Sequence, residues 1–240
     1  MSEVKIIIYQ ATFGEYDNLP NLIEELILHD GEVQYSFEHQ IVTDKELTAH
    51  SELNNYSPIL KNRYYKFNAV EIYPNYDVSV YLDGHISFDK ELFYKYIISL
   101  YKSKKPFVVN KHRNGGSLFD ELIRVIDNGK VSVSDLTKLG RLKIDFDLES
   151  AECGFIFRNH SFDGLIQQGK NWFIDFQHFP RDQLLLHKSF SSSNIKPYIS
   201  DITFDKNIFK VGAHKNNKIK IIKYRILKAF KILIKGLLLD

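Results

Sequence analysis

The apolar positions along the chain fall into two kinds of pattern. The first kind is a short, nearly continuous run. Val4 to Ala11 (VKIIIYQA) is one, and it predicts a first, central strand buried on both faces of a parallel sheet. Val78 to Leu82, bounded by turn residues, predicts a second buried strand. Gly31 to Glu38, Phe107 to Asn110, and Ala151 to His160 read as further strands, the last ending in polar residues. The second kind recurs at helical spacing. Asp89 to Lys102 places Leu92, Phe93, Tyr96, Ile97 and Leu100 on one side, as a core-facing helix does. Leu60 to Ile72, Phe119 to Ile126 and Asn171 to Phe176 also read as helical, and a helix or turn is expected over Ser132 to Leu142. Pro180 and Asp182 suit a helix start, where an acidic side chain complements the helix dipole.

The last stretch, Lys218 to Leu239, differs in kind. Ile219, Ile222, Ile226, Phe230, Leu233 and Leu237 recur at helical spacing, with Lys220, Lys223, Lys228, Lys231 and Lys235 between them. This predicts a basic amphipathic helix over 213–240, appended to a main domain over 1–212. Such a helix suits an anionic membrane surface or a partner, or packing on the domain's own core.

Composition narrows the picture. With 44% hydrophobic and 26% charged residues, a packed globular core is expected. The single Cys153 excludes an intramolecular disulfide framework and a Cys-rich zinc site, which suits a reducing compartment. The N-terminus lacks the h-region of a signal peptide, and no run of about 18 apolar residues predicts a membrane span. The net charge of +2 does not make the chain a polycation, and its basic tail alternates with an apolar face, so no nucleic-acid partner is expected.

Candidate chemistry gathers at predicted strand ends. Asp83-Gly84-His85 follows the Val78–Leu82 strand. A hard carboxylate oxygen and an imidazole nitrogen one residue apart suit a metal site, and Gly84 allows close backbone approach; an ordinary turn is the alternative. In open α/β sheets, ligands sit outside the carboxyl ends of the strands. The loop from Thr12 to Pro20, with Gly14 and Asp17, follows the first strand and is a place for a nucleotide to dock, although it is neither a dinucleotide fingerprint nor a P-loop. Arg63 and Lys66 are three residues apart and share a helix face. They form either a grip on a diphosphate or a solvated basic face. His112 and Arg113 precede a glycine pair and face either a substrate or solvent, and Arg158, Asn159 and His160 are expected on the pocket side.

In this order the motifs resemble one family. Tyr9-Gln10-Ala11-Thr12-Phe13-Gly14-Glu15-Tyr16-Asp17 is similar to the opening motif of a group of glycosyltransferase-like proteins first defined as a domain of unknown function. The group includes bacterial capsule and surface-polysaccharide enzymes and plant cell-wall homologues. Arg63-Tyr64-Tyr65-Lys66, Tyr76-Asp77 and Leu82-Asp83-Gly84-His85-Ile86 resemble its central block. His112-Arg113 with Glu121, then Phe157-Arg158-Asn159-His160, then Arg181-Asp182-Gln183 resemble its later ones, so the likeness spans about residues 4–190.

The resemblance implies a GT-A fold, a Rossmann-like α/β/α sandwich with a mixed central sheet that binds a nucleotide sugar with Mn2+ or Mg2+. Asp83, His85 and the late His214 take the places of metal ligands, with His85 standing where the family type has a second acid. Ala11, Phe13, Gly14, Tyr16, Asp17, Arg63, Lys66, Leu82 and Gly84 take those of nucleotide-sugar contacts. His112, Arg113, Arg158 and His160 would contact donor or acceptor. Asp182 and Gln183 resemble the Asp-Gln pair beside the anomeric carbon in retaining enzymes; in an inverting enzyme Asp182 would be the general base. The expected function is transfer from a nucleotide-diphosphate sugar, a UDP-sugar first among candidates, to a saccharide or lipid-linked saccharide in bacterial surface polysaccharide synthesis. Its place would be the cytoplasmic inner membrane face, reached through the C-terminal helix. The alternative is a catalytically inactive GT-A-fold binding or scaffold protein.

Overall fold

The computed structural model describes residues 2–14, 25–45, 51–204 and 207–212. Strand β1 (Ser2–Ala11) is central, as its apolar run predicts: Ile6, Ile7, Ile8 and Tyr9 are all fully buried. It lies between β3 (Val33–Val42) and β4 (Val78–Leu82) and is parallel to both. β2 (Leu26–Asp30) adds to β3 in antiparallel fashion at one edge. On the other side β7 (Ala151–Asn159) pairs antiparallel with β4 and with β6 (Phe107–Lys111), and β8 (Tyr198–Ser200) closes that edge parallel to β6. The result is a seven-stranded mixed sheet, β2-β3-β1-β4-β7-β6-β8. β5 (Ile86–Phe88) and β9 (Phe209–Val211) form a separate two-stranded ladder.

Alternation along the strands divides the core. Ile7, Tyr9, Tyr81, Phe107 and Val109 face α1 (Pro58–Phe67), α2 (Ala69–Ile72), α4 (Leu118–Asp127), α6 (Leu165–His178) and α7 (Asp182–Ser189). Ile6, Ile8, Val78, Val80 and Phe157 face α3 (Lys90–Lys102) and the small ladder. Helices on both faces of a mixed sheet are compatible with a Rossmann-like α/β fold.

The structure departs from the sequence pattern in two places that matter for the site. The helix expected over Leu60 to Ile72 is two helices, because Asn68 ends α1 and its side-chain amide donates to the Tyr64 carbonyl (3.0 Å). Elsewhere, as expected, the region Ser132 to Leu142 holds a helix and a turn, α5 (Val133–Leu139) followed by a single 3-10 turn, and α5 opens on a Ser132–Asp135 capping box. β7 runs antiparallel, so its carboxyl end lies at the opposite edge from Asp83, not on the pocket side: Asn159 pairs with Val78, and His160 N–H donates to the Asp77 carbonyl. The strands β2, β5, β8 and β9, of three to five residues, carry too little alternation to stand out in sequence. The basic tail over 213–240 lies outside the described residues.

α1 and α6 pack closely. Ser57 caps α1 and Pro58 opens it. At its other end Phe67 stacks on Trp172 of α6, with ring centroids 4.2 Å apart. Gly169 permits this approach, since a Cβ there would stand 2.4 Å from the Phe67 carbonyl oxygen.

Candidate functional site

The carboxyl ends of β1 and β4 carry the polar centre of the molecule. Beyond β4, a turn from Asp83 to Ile86 is closed by Ile86 N–H to the Asp83 carbonyl (2.9 Å) and tied to β7 by Asp83 N–H to the Gly154 carbonyl (2.8 Å). Gln10, buried in β1, holds the same turn: its Nε2 donates to the carbonyls of Asp83 (3.2 Å) and Ile86 (3.0 Å). Gln10 is the one uncharged polar residue within the apolar run of β1, and that was its signal in the sequence.

α1 brings two cations to this turn. Lys66, only 1% exposed, places Nζ 3.2 Å from Asp83 Oδ1 and 2.7 Å from Asp182 Oδ2. Arg63, one turn earlier on the same face, places Nε 3.5 Å from Asp182 Oδ2 and lies over the Phe176 ring. Tyr81, whose hydroxyl is pushed well up by burial and then by Asp83, stays a donor and gives its proton to Asp83 Oδ1 (2.9 Å). Asp182 opens α7. Its carboxylate accepts from the Gln183 N–H (3.2 Å), and its carbonyl accepts from Trp172 Nε1 (3.0 Å). Burial alone would raise the carboxyls of Asp182 and Asp83, but the charges of Lys66 and Arg63 outweigh it and hold both below the ordinary carboxylate range. Cys153 lies behind this group, and burial followed by the Asp182 charge pushes its thiol well up, so it is no thiolate nucleophile.

A bulge in β7 shapes the floor. Val109 faces Ile156, but Asn110 faces Glu152, so β7 carries extra residues between them. Gly154 sits in the bulge, where a Cβ would stand 3.1 Å from Asp83 Oδ2 and 2.9 Å from Ile86 Cδ1. A side chain there would crowd the carboxylate.

The other sequence candidates are dispersed. Ala11 accepts at its carbonyl from Asn62, Gly14 N–H donates to Asp44 (3.0 Å), and Phe13 is a core residue packed on Tyr65. Leu82 is fully buried on the α3 face, so only its backbone is near the turn. Arg158 is fully buried beneath α1, where its Nη2 donates to the Lys66 carbonyl (2.7 Å) and its guanidinium lies over Phe107. It touches the site through that backbone. His160 bonds Ser79 (2.9 Å) at the far edge, in keeping with the antiparallel course of β7. Tyr16, Asp17 and His214 lie outside the described residues.

His112 and Arg113 belong to a neighbouring cluster at the β6 end. His112 Nε2 lies 3.5 Å from Glu121 and 3.9 Å from Glu152; Arg113 pairs with Glu152 (2.8 Å) and Arg124 with Glu121 (2.9 Å). Half-buried Arg181 lies within electrostatic reach of both Asp182 and Glu121 and so links the two groups. Gln10, Tyr81 and Glu152 were not among the sequence candidates. A separate cavity of about 410 Å3, lined by Glu3, Lys5, Glu25, Glu38 and Tyr76 among others, shares no residue with either group.

Among the described residues, no three His, Cys, Asp or Glu side chains converge as a metal cage. Asp83 and His85 supply two donors of the right chemistry for a hard divalent cation, with Asp83 Oδ1 already engaged and Oδ2 facing the space that Gly154 leaves. No helix among the described residues is long and apolar enough to cross a membrane. In comparisons with known proteins, no family model and no curated protein matches the chain.

Proposed function

We propose that the protein is a nucleotide-sugar-dependent glycosyltransferase of the GT-A type. The observation that carries this reading is the Asp83–Lys66–Asp182 bridge: two ionised carboxylates on one buried ammonium, at the carboxyl ends of β4 and β1, with Arg63 alongside. That edge is where α/β sheets bind nucleotides. A fixed arrangement of charge at a water-poor strand end suits a reaction in which charge separates.

In the proposed reaction, the bond from the anomeric carbon to the diphosphate oxygen breaks and the acceptor oxygen takes its place. The departing diphosphate oxygen receives the acceptor's proton. Asp182 faces the positive charge that develops on the sugar. Its ion pairs with Lys66 and Arg63 keep it ionised and suit this electrostatic role in a retaining transfer. Gln183 braces that carboxylate through its backbone N–H. Arg63, the more exposed of the two helix cations, meets the diphosphate, while Lys66 keeps the two carboxylates in register. Asp83 and His85 would hold Mn2+ or Mg2+, which supplies positive charge to the diphosphate when bound. The Lys-rich tail fits a place at an anionic membrane surface, and lipid-linked saccharides of bacterial surface polysaccharide synthesis are the acceptors that such a place implies.

A thermal-shift and turnover screen of UDP-, GDP- and CMP-sugars, each with and without manganese, tests this reading. Stabilisation by one nucleotide with metal, with slow donor hydrolysis that Asp83→Ala abolishes, is the expected result. Donor turnover that survives Asp83→Ala overturns it.

A further inference from the structure

The cluster beside the Asp182 group contains more polar capacity than it uses. Glu121, Glu152 and His112 are all more than nine-tenths buried, at 4%, 5% and 8% exposure, and Asn110 is wholly buried. Asn110 stands opposite Glu152 in the β6–β7 ladder, so their side chains leave the sheet on one face, side by side. Among the described residues, both Oδ1 and Nδ2 of Asn110 and the Oε2 of Glu152 have no hydrogen-bond partner. A buried amide with both ends unused, next to a carboxylate with one oxygen unused, is costly unless something binds there.

Charge and chemistry narrow what binds. Glu121 and Glu152 are each paired with an arginine, Arg124 and Arg113, so the cluster favours neither a cation nor an anion. His112 accepts at Nδ1 from the Asn114 N–H (3.2 Å), which puts its proton on Nε2, towards Glu121 and Glu152. An amide that both donates and accepts, a carboxylate oxygen and a neutral imidazole together match adjacent hydroxyl groups. Arg113, 51% exposed at its side chain, pairs with Glu152 from the solvent side.

We infer that Asn110, His112 and Glu152 form a binding site for an uncharged saccharide, held through a pair of neighbouring hydroxyls. β6 is two strand spacings from β4, which puts this site about 10 Å along the sheet edge from Asp83, on the side away from β1. Under the glycosyltransferase reading, on which this assignment of role rests, the nucleotide lies towards β1 and the saccharide bound here is the acceptor.

The test is saturation-transfer NMR and titration of the full chain with methyl glycosides of glucose, galactose, mannose and N-acetylglucosamine, with and without UDP and manganese. At least one glycoside should bind, and Glu152→Gln should weaken it about tenfold, as loss of a charged acceptor does, in a variant whose cooperative thermal transition shows it folded. Arg113→Ala should strengthen binding severalfold by freeing Glu152. Absence of binding by every glycoside overturns the inference, which would leave the cluster to water. So does binding that neither variant changes. If no nucleotide binds but saccharide binding remains sensitive to Glu152, the site stands and the transferase reading falls.

Discussion

Lys66 and Asp182 are 116 residues apart in sequence, yet Lys66 Nζ lies 2.7 Å from Asp182 Oδ2. The same ammonium holds Asp83 at 3.2 Å, so one buried lysine fixes the end of β4 against the start of α7. A buried charge is tolerated when it is paired and hydrogen-bonded, and Lys66 has two carboxylates and the face of Tyr81, 5.1 Å from the ring centroid.

Lys66→Met should therefore destabilise the protein strongly, by about 3–5 kcal/mol, because it leaves two carboxylates facing each other without their shared partner. Adding Asp83→Asn and Asp182→Asn to it should recover much of the loss, since the uncompensated charge is then gone. Urea unfolding of the single and triple variants measures both. A Lys66→Met variant within 1 kcal/mol of the parent would mean that Arg63 alone neutralises the pair.

Gly169→Ala should lower stability by about 1–3 kcal/mol, the usual cost of overpacking, because its Cβ would meet the Phe67 carbonyl oxygen at 2.4 Å. The effect should reach the site, because Phe67 follows Lys66 directly and α6 carries Trp172, which holds the Asp182 carbonyl. Calorimetry gives the stability change. The proposed nucleotide-dependent thermal shift should shrink as well, and a full shift at reduced stability would separate packing from site geometry.

The elements that carry the site were legible because their patterns are strong. The run Ile6-Ile7-Ile8-Tyr9 is short and rich in β-branched residues, as a doubly buried strand is, and Val78–Leu82 is bounded by turn residues at both ends. Asp83 and Asp182 stand at element ends in the sequence pattern, and Arg63 and Lys66 share one helix face. Their mutual contacts were not legible: nothing local in α1 says that its basic face is turned inward onto two carboxylates. The direction of β7 was also hidden. An apolar run gives burial and not orientation, so Arg158 and His160 were expected at the wrong edge. Gln10 and Glu152 are each a single polar residue within a strand, which marks the position but not the turn or neighbour it serves.

Asp83→Asn offers a narrower test of metal dependence than alanine does. The amide keeps the volume and still accepts from Tyr81 and Lys66, but it is a far weaker ligand for a hard cation. Manganese-dependent stabilisation by the nucleotide should disappear, while any metal-independent nucleotide binding through Arg63 should persist. Differential scanning fluorimetry with nucleotide alone, metal alone and both distinguishes the two. Retention of the full metal effect would remove Asp83 from the proposed ligand set.

His160 predicts a pH dependence with a definite sign. Burial, and then the Arg158 charge, lowers its pKa from 6.5 to about 4, against weaker opposing effects of the Tyr76 backbone and Asp77. His39 is lowered to about 4 by burial as well. For either group the unfolded chain binds a proton between pH 6.5 and 4 that the folded chain does not, so stability falls as pH drops through that window. The loss approaches roughly 3 kcal/mol per histidine at its lower end. Asp83 and Asp182 behave differently. Their pKa values are depressed, so their contribution is complete above about pH 4, where unfolded aspartates titrate, and is lost only at lower pH. Urea unfolding at pH 7, 5.5 and 4.5 should therefore show a decline that His160→Gln makes shallower, with the glutamine amide still able to bond Ser79. An identical slope in the variant would show that His160 gains its proton without cost, through opening of the far edge of β4 and β7.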